Sequence, residues 1–121
     1  EDPKRGAVII IKYPKDPSKF FIKRLIAFPN ETIEIKNGAV TIYNEENKNG
    51  LKLDESYVVY GKSDFVIIKL DAREYFVMGD NRAGSSDSRA WGPLPNKSYI
   101  VGEPFIRLFP FNKIDMWPGV N

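Results

Sequence analysis

The strongest constraint on this chain is its run of short β-branched and aromatic segments, each too brief for a stable helix and each cut off by turn residues. Ala7 to Tyr13 is a β-branched run with the pattern of a buried strand. Pro14 to Pro17 interrupts it, and Phe20 to Phe28 resumes an extended pattern that stops at Pro29. Thr32 to Lys36 and Val40 to Tyr43 flank Asn37-Gly38. That pair predicts a hairpin, because a type I′ turn needs positive φ at both central positions. Asn44 to Glu55 is polar and reads as a loop. Tyr57 to Tyr60, Phe65 to Leu70 and Tyr75 to Met78 read as further strands, and Tyr99 to Leu108 as one or two last ones. Phe109 to Asn121 is an aromatic, Pro-rich tail. No stretch has the period of a long amphipathic helix. The expectation is an all-β fold in a single domain over 1–121, a folded sheet or barrel of short, mostly antiparallel strands with long loops.

Two absences narrow the chemistry. The 121 residues contain no Cys and no His. Disulfides, thiolate nucleophiles, a Ser-His-Asp triad and the usual zinc sites are all excluded. A hydrolytic site here needs Lys or a carboxylate as its base, or a metal held by carboxylates. No apolar run approaches the roughly 18 residues of a membrane span, and no signal-peptide pattern is visible. The chain starts at Glu1 rather than Met, so we expect a processed or engineered fragment. A net charge of +2 gives no argument for nucleic acid. The basic and aromatic mixtures at Lys19 to Arg24 and Arg107 to Lys113 lack a stacking motif or phosphate loop, so no nucleic-acid partner is expected.

Two segments concentrate chemistry. In Phe20 to Ile26, alternation along a strand puts Lys23 on the side of Phe21 and Leu25, and Arg24 on the side of Ile22 and Ile26. Either one cation sits among apolar neighbours, or both reach water beside a half-buried strand. A buried Lys has a lowered pKa and can serve as a neutral general base. The second segment, Met78 to Pro93, packs two Asp, two Arg, an Asn and three Ser into one loop. Such a loop can brace itself through Asx turns and Asp–Arg pairs. Asp80 and Asp87 form an acid–base or metal pair, or simply ion pairs with the neighbouring Arg residues. The latter is favoured, and no metal or other cofactor is expected.

Gly79-Asp80-Asn81-Arg82, then Ser85, then Asp87-Ser88-Arg89 resembles the G-D-N-R-x-x-S-x-D-S-R box of the type I signal peptidases. Trp91-Gly92-Pro93-Leu94-Pro95 and Val101-Gly102 are also similar to that family. Phe21-Ile22-Lys23-Arg24-Leu25-Ile26-Ala27-Phe28-Pro29-Asn30-Glu31 resembles its Lys-bearing stretch, and Arg5-Gly6 with Ala7 to Pro17 resembles the strand before it. The resemblance implies a membrane-anchored Ser/Lys-dyad protease that cuts signal peptides from exported preproteins after small residues at positions −1 and −3. It implies Lys23 as general base and Ser85 as the hydroxyl that orients it. Asp80, Asp87 and Arg89, with Arg24, Gly79 and Asn81, would hold the site, and Phe21 and Ile22 would line the small-residue pockets. It also implies a catalytic domain on the extracytoplasmic face of the plasma membrane. Phe105, Phe109, Phe111, Trp91 and Trp117 would form an apolar rim on the bilayer, with core packing as the alternative. The expected oligomeric state is a monomer.

The sequence departs from the family pattern. Ala7 replaces a common Asp, Ala27 a Gly, and Asn30-Glu31 a Gly-Asp pair. The family nucleophile lies in a Ser-Met-x-Pro-Thr box upstream of the first strand box, and this sequence has none; no Ser precedes Ser18. The chain as given is therefore expected not to cleave peptides by itself. The 55 residues between Lys23 and Gly79 imply the compact form of the family, common in Gram-positive and related bacteria. Two other readings remain. One is a non-catalytic relative acting in binding or assembly, such as pilus assembly; such relatives tend to lose the Lys and Ser kept here as Lys23 and Ser85. The other is a self-cleaving repressor-type Ser/Lys protease, a group without the G-D-N-R box.

Overall fold

The computed structural model describes residues 2–104. Eight strands appear in chain order: β1 (Val8–Tyr13), β2 (Asp16–Ala27), β3 (Thr32–Lys36), β4 (Ala39–Tyr43), β5 (Leu51–Lys52), β6 (Phe65–Lys69), β7 (Phe76–Met78) and β8 (Ile100–Gly102). A short α-helix, α1 (Ser88–Trp91), and a 3₁₀ turn at Lys97–Tyr99 lie between β7 and β8. The strands form two four-stranded sheets, ordered β7-β2-β1-β8 and β5-β4-β3-β6. All strand pairs are antiparallel. Among the described residues the sheets do not close on one another, so the fold is the folded-sheet alternative and not a barrel. Twelve residues of β2 run past both β1 and β7, so the longest strand is the one that carries Lys23.

Local sequence explains the turns. Asn37 and Gly38 have φ of 50° and 81°, and Lys36 pairs with Ala39, as a type I′ hairpin requires. Gly38 is fixed for a second reason: a Cβ there would meet the Lys62 carbonyl oxygen at 2.5 Å. Between β1 and β2 only Pro14 and Lys15 form the turn, because Tyr13 already pairs with Asp16. Pro17 thus lies inside β2, where the expectation had a break. It is tolerated because residues 17–19 fall in a register shift of the β1–β2 pair, Tyr13 facing Asp16 and Lys12 facing Phe20, and β7 pairs with β2 only from Arg24 onward.

Three further expectations are corrected. Residues 57–60 are not a strand; Tyr60 makes a single parallel bridge to Asn81 in the Gly79–Arg89 loop. The polar stretch 44–55 hides the two-residue β5. The loop after β7 contains α1, whose N-cap Asp87 accepts from the Arg89 N–H. The last expected strand is realised as β8 up to Gly102; its remainder, and Phe105, Phe109, Phe111 and Trp117 of the expected rim, lie outside the described residues. Trp91, the rim residue that is described, packs against the core beside Tyr13, with ring centroids 5.5 Å apart.

The two faces of the first sheet bury different cores. Ile26, Ala27, Phe76 and Met78 pack on Ile33, Ile35, Val40, Ile42 and Leu70, which joins the sheets. On the other face Ile9, Ile11, Leu25 and Val77 pack under Leu94, with Trp91 and Tyr75 at the margin. The loop that follows β7 therefore serves as a lid on that second core. No helix among the described residues is long and apolar enough to cross a membrane.

Candidate active site

Lys23 is 1% exposed although it is a cation in the middle of a strand. Its register partner is Ile9, and its ammonium nitrogen lies 5.6 Å from the centre of the Phe21 ring. Lys23 Nζ donates to Ser85 Oγ at 2.8 Å. Burial pushes its pKa down from 10.5 to about 8; Asp87 and Asp80 act against the fall and Arg89 adds to it. A chain folded this way holds an amine that is largely neutral at mildly alkaline pH, in contact with a hydroxyl.

The loop bearing Ser85 is held by ion pairs between its own residues and the strands. Arg24, projecting to the opposite face of β2 from Lys23, pairs bidentately with Asp80 at 2.8 and 2.7 Å and donates to the Gly6 carbonyl at 2.7 Å. Fully buried Asp87 takes both forks of Arg89 at 2.9 and 2.8 Å and accepts the Gly79 N–H at 2.9 Å. The Val77 N–H is met by Ser88 Oγ at 3.0 Å. β7 is an edge strand, so these two side chains replace the neighbour strand it lacks. Asn81 sets the turn beneath Ser85: its carbonyl accepts from the Ser85 N–H at 2.8 Å and its side chain from the Gly84 N–H at 3.1 Å. Among the described residues no cluster of acids is arranged to hold a metal, and Asp80 and Asp87 are engaged by Arg24 and Arg89.

Of the residues singled out from sequence, Lys23, Ser85, Asp80, Asp87, Arg89, Arg24, Gly79 and Asn81 thus meet in one place. Phe21 and Ile22 do not share a surface. Phe21 lies on the Lys23 face beside Tyr13, with rings 4.8 Å apart, whereas Ile22 packs with Val8 and Ile10. Sequence reasoning missed four participants. Arg82, 3% exposed, donates to the Gly79 carbonyl and forks onto Glu55 at 3.1 and 2.7 Å. The Tyr57 ring lies 4.0 Å from the Arg24 guanidinium and 6.0 Å from that of Arg82. Asp64 accepts from Arg89 Nη1 at 2.9 Å. Glu55 and Asp64 lie in segments without a strand pattern, and Tyr57 reads as part of a strand, so nothing local points to these partners.

A family described as signal peptidase, peptidase S26, matches residues 1–109. The chain belongs to this family. It is similar to the probable signal peptidase I-1 of Synechocystis, at 34% identity over 92% of this chain and 57% of that protein. It is also similar to signal peptidase I P of Bacillus subtilis subsp. natto, at 36% identity over 93% of this chain and 63% of that protein. The chain therefore spans less than two thirds of either relative. A crystal structure of a signal peptidase I from Enterococcus faecalis superposes with a TM-score of 0.72 at 25% identity, covering 86% of this chain and 97% of that one. Two of the departures from the family pattern have local explanations. Asn30 stands where the family stretch has Gly, at φ 68°, a conformation that Asn tolerates better than most side chains. Glu31, in place of Asp, reaches Arg5 bidentately at 2.8 and 2.7 Å.

Proposed function

We propose that this chain is the base-bearing catalytic region of a membrane-associated serine endopeptidase that removes signal peptides from exported preproteins at the extracytoplasmic face of the plasma membrane. The observation that carries the reading is the buried Lys23 amine, lowered to about 8 and hydrogen-bonded to Ser85 Oγ at 2.8 Å. In this reading neutral Lys23 takes the proton from an attacking Ser hydroxyl, and the alkoxide adds to the scissile carbonyl. The ammonium then returns the proton to the departing amine. Ser85 orients the amine by accepting a hydrogen bond from it. The attack is assigned to the Ser of a Ser-Met-x-Pro-Thr box, which this sequence does not contain, so the chain alone is expected not to cleave. Substrates would be signal peptides with small residues at −1 and −3. A purely assembly-type relative has no use for a desolvated Lys kept against a Ser.

The test is preprotein processing by the full-length protein and its variants. Lys23→Met should abolish cleavage with the fold intact, and Ser85→Ala should lower kcat by about 10- to 1,000-fold without abolishing it. The acid limb of kcat/KM should fall about tenfold per pH unit below about 8, since protonated Lys23 is no base. Full cleavage by Lys23→Met would end this reading. Complete loss in Ser85→Ala, with attachment of an acyl group to Ser85 in the parent, would make Ser85 the nucleophile instead.

A further inference from the structure

Apart from Lys23 and Arg24 of β2, the residues described above as holding the Ser85 loop from outside come from one stretch between β5 and β6. Glu55 forks onto Arg82, and the phenol of Tyr57 donates to Glu55 Oε2 at 3.1 Å. The Val59 N–H donates to the Asp80 carbonyl and the Ala83 N–H to the Tyr60 carbonyl, both at 3.1 Å. Asp64 then takes the one arm of Arg89 that Asp87 leaves free, with the two side chains 16% and 8% exposed. The far end of the stretch rests on the second sheet: the Gly38 N–H donates to the Asp64 carbonyl at 3.3 Å, and Lys62 presses on Gly38. Asp64 is therefore the joint between the β3–β4 hairpin and the loop that covers Lys23.

We propose that residues 55–64 are a positioning strap, and that Asp64 is the positioning residue that fixes Arg89 and, through Asp87, the loop that sets Ser85 on Lys23. The inference rests on the reading of Lys23 and Ser85 given above. Arg89 is held by two carboxylates from different parts of the chain, so it cannot turn toward water without leaving one of them. With Asp64 gone, the guanidinium has one anchor and a reason to move outward. Asp87 moves with it, and Asp87 both caps α1 and holds the Gly79 N–H.

The charged groups near Lys23 are Asp80 and Asp87, which favour its protonated form, and Arg89, which opposes it; burial is the largest influence of all. This separates two roles by sign. If Asp64 acts by holding the loop closed, its loss admits water and the Lys23 pKa rises. If it acts only as a negative charge, its loss lowers that pKa.

The experiment is carbon-13 NMR titration of the Lys23 Cε in this chain, assigned with Lys23→Met. Asp64→Ala should raise the Lys23 pKa by about one unit or more, and Asp64→Asn, which keeps an acceptor for Arg89, should leave it within about 0.3 units of the parent. Glu45→Ala, an exposed loop carboxylate, serves as the control for a lost charge. An unchanged or lowered pKa in Asp64→Ala, or equal shifts in the Ala and Asn variants, would overturn the proposal. If Asp64→Ala does not fold, native-state hydrogen exchange of the parent decides. The Val59 and Ala83 amides should exchange with the same opening free energy as Gly79 and Ser85; much faster exchange at Val59 and Ala83 would overturn the strap. The titration needs no substrate. A full-length enzyme that ignores Lys23→Met while the titrations behave as expected would end the base assignment and leave the strap standing.

Discussion

At the scale of the residue, Lys23 works against the stability of the fold that holds it. Its pKa falls from 10.5 to about 8 on folding, which corresponds to about 3 kcal/mol disfavouring the native state below pH 8. Between pH 8 and 10.5 the unfolded chain still binds the proton that the folded chain has released, so stability rises with pH across that window. Above 10.5 the penalty is gone. Lys23→Met keeps the length of the side chain and removes the charge, losing only the bond to Ser85, which contributes about 1 kcal/mol. The variant should therefore be about 2 kcal/mol more stable than the parent at pH 7, with the gap closing and reversing slightly by pH 10.5. Urea unfolding at several pH values checks this; a gap that does not change with pH would mean that Lys23 titrates normally. Alternation in Phe20 to Ile26 left open whether a cation is buried there or both reach water, and it did not say which cation it would be. Lys23 and Arg24 are equivalent by pattern, and they differ because Asp80, 56 residues from Arg24, gives it a bidentate partner on its own side of the strand.

Among elements, the β3–β4 hairpin was the most legible, because its turn is written in two adjacent residues that both need positive φ. That turn also supports the strap, so its glycine should be unusually sensitive. Gly38→Ala places a Cβ at φ 81° and 2.5 Å from the Lys62 oxygen. It should lower stability by about 2 kcal/mol or more, whereas Asn37→Gly should change it by a few tenths. Thermal denaturation of the two variants checks the contrast, and equal effects would deny the contact with Lys62. Other elements were hidden for identifiable reasons. Pro17 reads as a break yet lies in β2, because it falls in the register shift that leaves residues 17–19 without a partner on β1. Residues 57–60 look like a strand but find only loop backbone to pair with. The Glu55–Arg82 and Asp64–Arg89 pairs join residues 27 and 25 apart, and no local pattern announces such partners.

At the scale of the molecule, the two sheets are joined by the apolar core, by the Asp64 joint and by a polar clasp around Glu31. Arg5 precedes β1, Glu31 precedes β3 and Asn44 follows β4. Glu31 holds Arg5 on both oxygens, accepts the Phe28 N–H at 2.8 Å and accepts from the Asn44 amide at 2.9 Å. Burial pushes the Glu31 pKa up, but Arg5, the Phe28 N–H and Asn44 together outweigh it and hold it below 4.5. Its contribution to stability is present above pH 4.5 and is lost as pH falls through the lower folded value. Glu31→Gln should reduce stability by about 2 kcal/mol at pH 7, with the difference shrinking below pH 4.5. A difference of the same size at pH 3 would show that the carboxylate charge is not what holds the clasp. The placement of Lys23 has a consequence for the order in which the chain forms. The β1–β2 hairpin closes through a two-residue turn, so it can assemble from neighbouring contacts with the lysine still hydrated. The hydroxyl and the loop that dry it arrive from 62 residues away. Proton release therefore belongs to the late, long-range closure of the chain, and the neutral amine is a product of folding that no isolated hairpin would possess.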